Sequence, residues 1–519
     1  MTLTSPLTTR RRPAFGLGCW LIAIGLTGLA LRAEAGVSYL NNKIIKIGVN
    51  LDRGGSITYF AQLRKSTHAS YSNVVNSHDL GRQIQQSYYS GPNPFDPYHN
   101  QAKQWSPWPW NPIQTGDCYG HKSRVLDSRN DGKEIYVKTR PMQWALDNVA
   151  GEATLETWIR LEGIAAWVRC RLTNNRTDTK QQYVGYYSEC PAAYTVGTLY
   201  RLFTYQGLAP RTGDKLTEMP RVPPPWQYWR ATECWGALVN KNNWGLGVYH
   251  PGALLFCGGF SGAAGSGGPS NSQTGYISPF HGDALDHNVI YEYEYALVLG
   301  SLDEIRQFVY GHQRDPLPDY RFLVDRQHWY CPQGDGGCPT GGYLRVNLAS
   351  SDPMMVGPPC AYQAKDAPKL YITAAYHVPN PKPNTAVAQL YWEVDNEGKP
   401  WKADIRESQS AQFDVFLDDE FHAYTIDLAA CPSYKGLITQ LRFDPVILGS
   451  NGDYVDVRHI TYRSDIALPG PAAAAGARAM PAGAAGAPAA GRPAAAKELP
   501  AAPVPPSGPE PIRPPSRVK

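Results

Sequence analysis

Net charge is scarce in this 519-residue chain, where 49 basic residues face 45 acidic ones. Two atypical ends account for the small excess. Residues 1–35 carry four Arg and one Glu, and residues 466–519 carry six basic and two acidic residues, which leaves 39 basic and 42 acidic residues between them. With no basic footprint, nucleic acid is not an expected partner. Cys-x-x-Cys is absent too, so no structural zinc is expected, nor any other metal or cofactor. No internal repeat of solenoid or propeller length occurs. A long apolar run appears at one place, Phe15 to Leu31.

That run follows Arg10, Arg11 and Arg12 and precedes Ala33-Glu34-Ala35. A basic segment, an apolar core and small residues at a cleavage site are the layout of a signal peptide. Residues 1–35 are therefore expected to be removed, leaving a secreted or periplasmic protein with no membrane segment; an uncleaved anchor is the alternative. Ten cysteines, one of them Cys19, suit an oxidising compartment, and Cys331 with Cys338 across a short turn-rich loop is the expected disulfide. Residues 466–519 are Ala, Pro and Gly with scattered charge, too poor in apolar surface to offset ordering entropy, and are expected to be disordered.

What lies between is β in texture. Glu292–Val298 (EYEYALV) and Ala166–Leu172 (AWVRCRL) alternate, and turn signals such as Asp52-Arg53-Gly54-Gly55 and Asn130-Asp131-Gly132 recur at strand-like intervals. One helix is expected after Ser301, with Glu304 completing a capping box and Ile305, Phe308 and Val309 on one face. The length calls for more than one core. The division expected is a large all-β domain over 36–314, a linker with the disulfide loop over 315–364, and a β-sandwich over 365–465. Gly258–Gly275 is too polar for core and reads as a lid or an inert insertion.

Asn73–Tyr119 concentrates the chemistry. Asn76, His78, Asp79, Arg82, Gln83, Gln86, Asn111, Gln114 and Asp117 alternate there with Tyr88, Tyr89, Trp105, Trp108 and Trp110. Rings cover the C–H faces of a sugar while amides and charges take its hydroxyls, so carbohydrate is the expected ligand class. Arg82, Gln83, Gln86, Tyr88, Trp108, Trp110, Asn111 and Gln114 are the expected substrate-binding residues. Gly81 lets the backbone approach, and Arg82 offers a forked donor to a carboxylate or diol; pairing with Asp79 is the alternative. Pro-rich Trp108–Trp110 should lie at an edge or in a loop, stacking on ligand or plugging the sandwich end. Pro220–Trp229 (PRVPPPWQYW) reads as a second wall of the cleft or an interdomain strut.

Residues 46–82, KIGVNLDRGGSITYF…NVVNSHDLGRQ, resemble the opening hairpins of the galactose-mutarotase-like supersandwich. The resemblance implies a large antiparallel sandwich with a sugar cleft on a concave sheet. It also implies a Glu acting as base and a His as acid, which must lie within hydrogen-bond reach of the bond being remade. Glu189, in SECPAAYT, is the expected base. His121 and His78 are the candidates for the acid, with His250 behind them, and Asp117 would orient His121 or form a turn. Residues 365–463 resemble accessory jelly-roll domains of secreted polysaccharide-degrading enzymes; Asn451-Gly452-Asp453 with Asp456 is a turn, or a calcium loop of the kind such domains carry. The expected function is binding of a poly- or oligosaccharide with lyase or glycosidase action. Non-catalytic glycan binding or cell-surface adhesion is the alternative.

Overall fold

The computed structural model describes residues 36–466 except 64–71, 92–101, 103–110, 175, 178–182, 284, 286–288, 333, 335–340, 380, 382 and 396–405. The proposed signal peptide, the Ala/Pro-rich tail beyond residue 466, Trp105, Trp108, Trp110 and Cys338 lie outside these residues. The fold is all-β. Among the described residues the α-helix is Leu302–Gly311, and no helix is long and apolar enough to cross a membrane.

Two antiparallel sheets drawn from residues 37–301 face each other. The first has eleven strands and runs Val37–Asn41, Ile45–Asn50, Ser56–Gln62, Ile84–Ser87, Val184–Val196, Thr274–Asp283, Leu255–Ser261, Gln227–Arg230 along its main path. The second has nine strands, with Val289–Ser301, Ala165–Asn174 and Thr154–Glu162 at its centre. Alternation explains how they pack. In Val289–Ser301 the rings of Tyr291, Tyr293 and Tyr295 are buried between the sheets while Glu292 and Glu294 face out.

Leu302–Gly311 closes this sandwich. Ser301 and Glu304 form the capping box read from the sequence. Ile305 and Val309 are buried against the nine-stranded sheet with Trp167 and Trp235, while Phe308 is partly buried there.

Two five-stranded sheets follow, packed on a separate core that includes Trp329, Trp392 and Phe443. Their long strands are Lys369–His377, Thr385–Val394, Ser410–Phe416, His422–Asp427, Leu437–Asp444 and Tyr454–Thr461. Short strands at Asp319–Arg321, Leu344–Asn347, Met355–Val356 and Tyr362–Gln363 join them, so the stretch read as linker supplies sheet edges. Arg230 crosses between the sandwiches to Glu393 (2.7 Å) and Asp395 (3.3 Å). Asp456, weighed as a calcium ligand, is instead held by the Arg345 fork at 2.8 Å on both oxygens. No disulfide joins any two of the eight described cysteines.

Candidate active site

Glu189 lies on Val184–Val196, between Ser87 and Phe280 of the flanking strands. Pro191 has no N–H for the ladder, and the pairing with Thr274–Asp283 shifts register between Glu189 and Ala193. The shift resets which side chains face out. Cys190 and Ala193 enter the core between the sheets, while Tyr187, Ala192 and Tyr194 join a second apolar cluster on the outer face.

That outer cluster surrounds Glu189, which is itself 6% exposed. Tyr89 donates to Oε2 at 3.2 Å and Tyr276 donates to Oε1. Tyr194 packs at a tilt against Tyr276 (ring centroids 4.7 Å, 37°), and Trp226 stacks on Tyr276 (5.2 Å, 30°). Burial pushes the Glu189 carboxyl above the ordinary carboxylate range, and the hydrogen bonds from Tyr276, Ser87 and Tyr89 pull the other way without prevailing. Burial, with Glu189 as the next cause, raises Tyr89, Tyr194, Tyr276 and the Cys257 thiol well above their ordinary values. The site is therefore a set of phenol donors around a buried carboxyl whose proton affinity is raised by desolvation, an arrangement suited to a general acid.

Arg82 acts electrostatically on Tyr194 of this cluster, as does Asp79. Its Nε lies 3.2 Å from Asp79 Oδ2 and its Nη1 donates to Ser272 O at 2.7 Å. The Ser272 contact belongs to a larger seam. Ser77 N donates to Pro269 O (2.7 Å), His78 Nδ1 to Ser270 O (2.9 Å), and Asn76 Nδ2 to Asn271 O and Gln273 O. Polar groups of the Asn73–Arg82 segment thus pin the Gly/Ser-rich loop.

The other residues read from the sequence divide sharply. Asn111 donates to Ser87 Oγ at 3.1 Å and so steadies one of the groups on Glu189. Gln83 has φ +140° and its carbonyl takes Tyr194 N–H at 3.0 Å, fixing the backbone of that tyrosine. Gln86, Tyr88 and Gln114 do not face the outer cluster. Gln86 reaches Thr157 Oγ1 (2.9 Å) on the opposite sheet, Tyr88 OH donates to Gln86 Oε1 (3.1 Å), and Gln114 bonds to Gln86 N and Gly54 O (3.1 Å each). They satisfy polar groups inside the sandwich, which a sequence cannot distinguish from ligand contacts.

His121 is likewise elsewhere in the chemistry. Its Nδ1 lies 2.8 Å from Asp117 Oδ2 and 3.5 Å from Asp147 Oδ1. Those three side chains have the donor types for a divalent cation. The buried Asp117 is already engaged by the N–H groups of Tyr119, His121 and Asn148 as well as the imidazole, so it clamps a turn. His250 is buried at the end of its strand, its Nε2 3.2 Å from that of His281. Neither His78 nor His121 is a hydrogen-bond partner of Glu189.

Tyr194, Tyr276 and Trp226 are the site residues that the sequence did not single out for catalysis or binding. Tyr276 sits in an alternating strand (TGYISPF) that gives no sign of which face meets Glu189. The pairing of Ala193 with Ile277 decides that. Trp226 lies in the Pro-rich tract read as a wall or strut: Trp226 joins the apolar cluster, and Arg230, four residues on, reaches the second sandwich.

No protein-family model matches the chain, and no curated protein matches it. Solved structures do. A galactose mutarotase related enzyme from Lactobacillus acidophilus shares 11% identity over 51% of this chain and 97% of its own, with a TM-score of 0.33. A galactose mutarotase-like protein from Lactobacillus casei shares 11% identity over 51% of this chain and 100% of its own, with a TM-score of 0.30. An α-galactosidase from Geobacillus stearothermophilus shares 9% identity over 51% of this chain and 40% of its own, with a TM-score of 0.30. Each of these matches covers about half of this chain.

Proposed function

We propose that this is an exported carbohydrate-active protein that binds a poly- or oligosaccharide on the outer face of the eleven-stranded sheet and acts on it by proton transfer from Glu189. The observation that carries the reading is a buried carboxyl ringed by phenols, with a cation–carboxylate pair, Arg82 and Asp79, beside Tyr194. Aromatic edges and hydroxyls of this kind suit a sugar, and a carboxyl raised by burial suits donation to a glycosidic or ring oxygen. In a lyase, a base other than these neutral phenols would have to take the C5 proton of a uronate while Glu189 protonates the leaving oxygen. In a glycosidase, a second carboxylate would have to stand opposite Glu189.

Non-catalytic glycan binding is the second reading. It is favoured by one observation: the hydrogen-bond partners of Glu189 are Tyr89, Tyr276 and Ser87, with neither a His nor a second carboxylate among them. Incubation with uronic-acid and neutral glycans, following the absorbance of unsaturated products and the appearance of reducing ends, separates the two. Product from any glycan supports catalysis; binding without product from all of them leaves the binding protein.

A further inference from the structure

Trp226 precedes the edge strand Gln227–Arg230 and is 6% exposed. Its stack on Tyr276 places the indole one ring away from the Glu189 carboxyl, to which Tyr276 donates. Gly259 lies against the Cε3–Cζ3 side of the indole: a Cβ there would stand 2.9 Å from Cε3 and 3.3 Å from Cζ3. Nε1 is on the other side of the ring. It is buried and has no hydrogen-bond partner among the described residues.

A buried indole N–H ordinarily finds an acceptor, and one left unmade costs the desolvation of the group. Phenylalanine would keep a stacking ring on Tyr276 without that cost. Trp244 and Trp329 also leave Nε1 unpaired, but they sit in the two sandwich cores, away from Glu189. Trp226 alone of the three adjoins the carboxyl and its phenols.

We propose that Trp226 contacts the substrate, its Nε1–H donating to a ring, glycosidic or hydroxyl oxygen of the saccharide held at Glu189. The inference rests on the saccharide reading of that site. An indole can only donate, so the sugar atom opposite it acts as acceptor, which makes Trp226 a determinant of sugar configuration as well as of affinity. One hydrogen bond of this kind is worth about tenfold in affinity, or about 1.4 kcal/mol.

The test uses the full-length protein with galacto-, gluco-, manno- and uronate-oligosaccharides. W226F, with W226Y as a second variant should W226F fail to fold, is compared with wild type on the oligosaccharide that wild type binds most tightly. The expected result is a rise of about tenfold in Kd or KM. In the wild-type NMR spectrum, the indole N–H resonance missing from the folded variant should move when that oligosaccharide is added. Unchanged affinity, or a stationary resonance, in a protein that still binds the sugar would overturn the role of Trp226 and leave the site reading standing. A wild-type protein that binds and converts none of these sugars would overturn both.

Discussion

Tyr89 donates to one oxygen of the Glu189 carboxyl at 3.2 Å while Tyr276 takes the other, so phenols and not a cation hold this buried group. The hydrogen bonds favour the carboxylate and burial favours the acid, and burial prevails.

A pH dependence follows from that balance. The folded-state pKa of Glu189 is raised above the unfolded value of about 4.3, so the folded chain holds this proton more tightly. The resulting stabilisation is present below about pH 4.3 and is lost as pH rises through the raised folded value. E189Q keeps a neutral group at every pH. The unfolding free energy of wild type relative to E189Q should therefore fall as pH rises from 4 to 8, by at most about 1.4 kcal/mol per unit. Urea titrations across that range check the sign.

Histidines predict the opposite slope. Burial, followed by the charges of His328 and Arg314, lowers His250 to about 3; burial, followed by His328 and His250, lowers His281 well below its ordinary value. Both stay neutral in the fold while the unfolded chain takes up protons below about pH 6.5, so stability drains as pH falls from there. His328, from the segment entering the second sandwich, stacks on His281 with centroids 4.0 Å apart. Replacing His250 and His281 by Gln should flatten the acid limb of a stability profile by up to about 1.4 kcal/mol per unit for each histidine removed.

The helix is bolted on by one ion pair. The Glu233 side chain is fully buried and accepts from Arg306 Nη2 (2.9 Å) and Nε (3.1 Å), Tyr310 OH (2.7 Å) and Trp235 Nε1 (3.0 Å). R306M strands that carboxylate, at a cost of about 3–5 kcal/mol in chemical denaturation, whereas E233Q/R306M together should recover much of the loss.

Arg82 has a role besides any contact with sugar. R82Q removes its bond to Ser272 O and the pairing with Asp79. Protease cleavage within residues 262–273 should speed up several-fold, while global stability changes by only about 1 kcal/mol. Mass spectrometry of timed digests would locate the cuts.

Much of the architecture could be read from residues whose two faces differ. Tyr291, Glu292, Tyr293 and Glu294 announce a strand with one buried face, and Ser301 with Glu304 announces the helix start. Of the residues read as a site, Glu189 lies among the phenols of the outer cluster, Asn111 bonds to Ser87, and Arg82 acts on Tyr194. Gln86, Tyr88 and Gln114 are bonded inside the sandwich, and a polar group bonded there has the same composition as one bonded to a sugar. Tyr276 and Trp226 reach the site through sheet register set by residues far away in the chain, which local pattern does not encode.

Comparing wild type with E189Q on the glycan that wild type processes fastest tests the proton-donor role of Glu189 most directly. The amide preserves shape and cannot supply the proton, so turnover should drop by roughly 10²–10⁴-fold while glycan affinity stays within about threefold. Turnover of E189Q equal to wild type, or no product from wild type with any glycan, would contradict it.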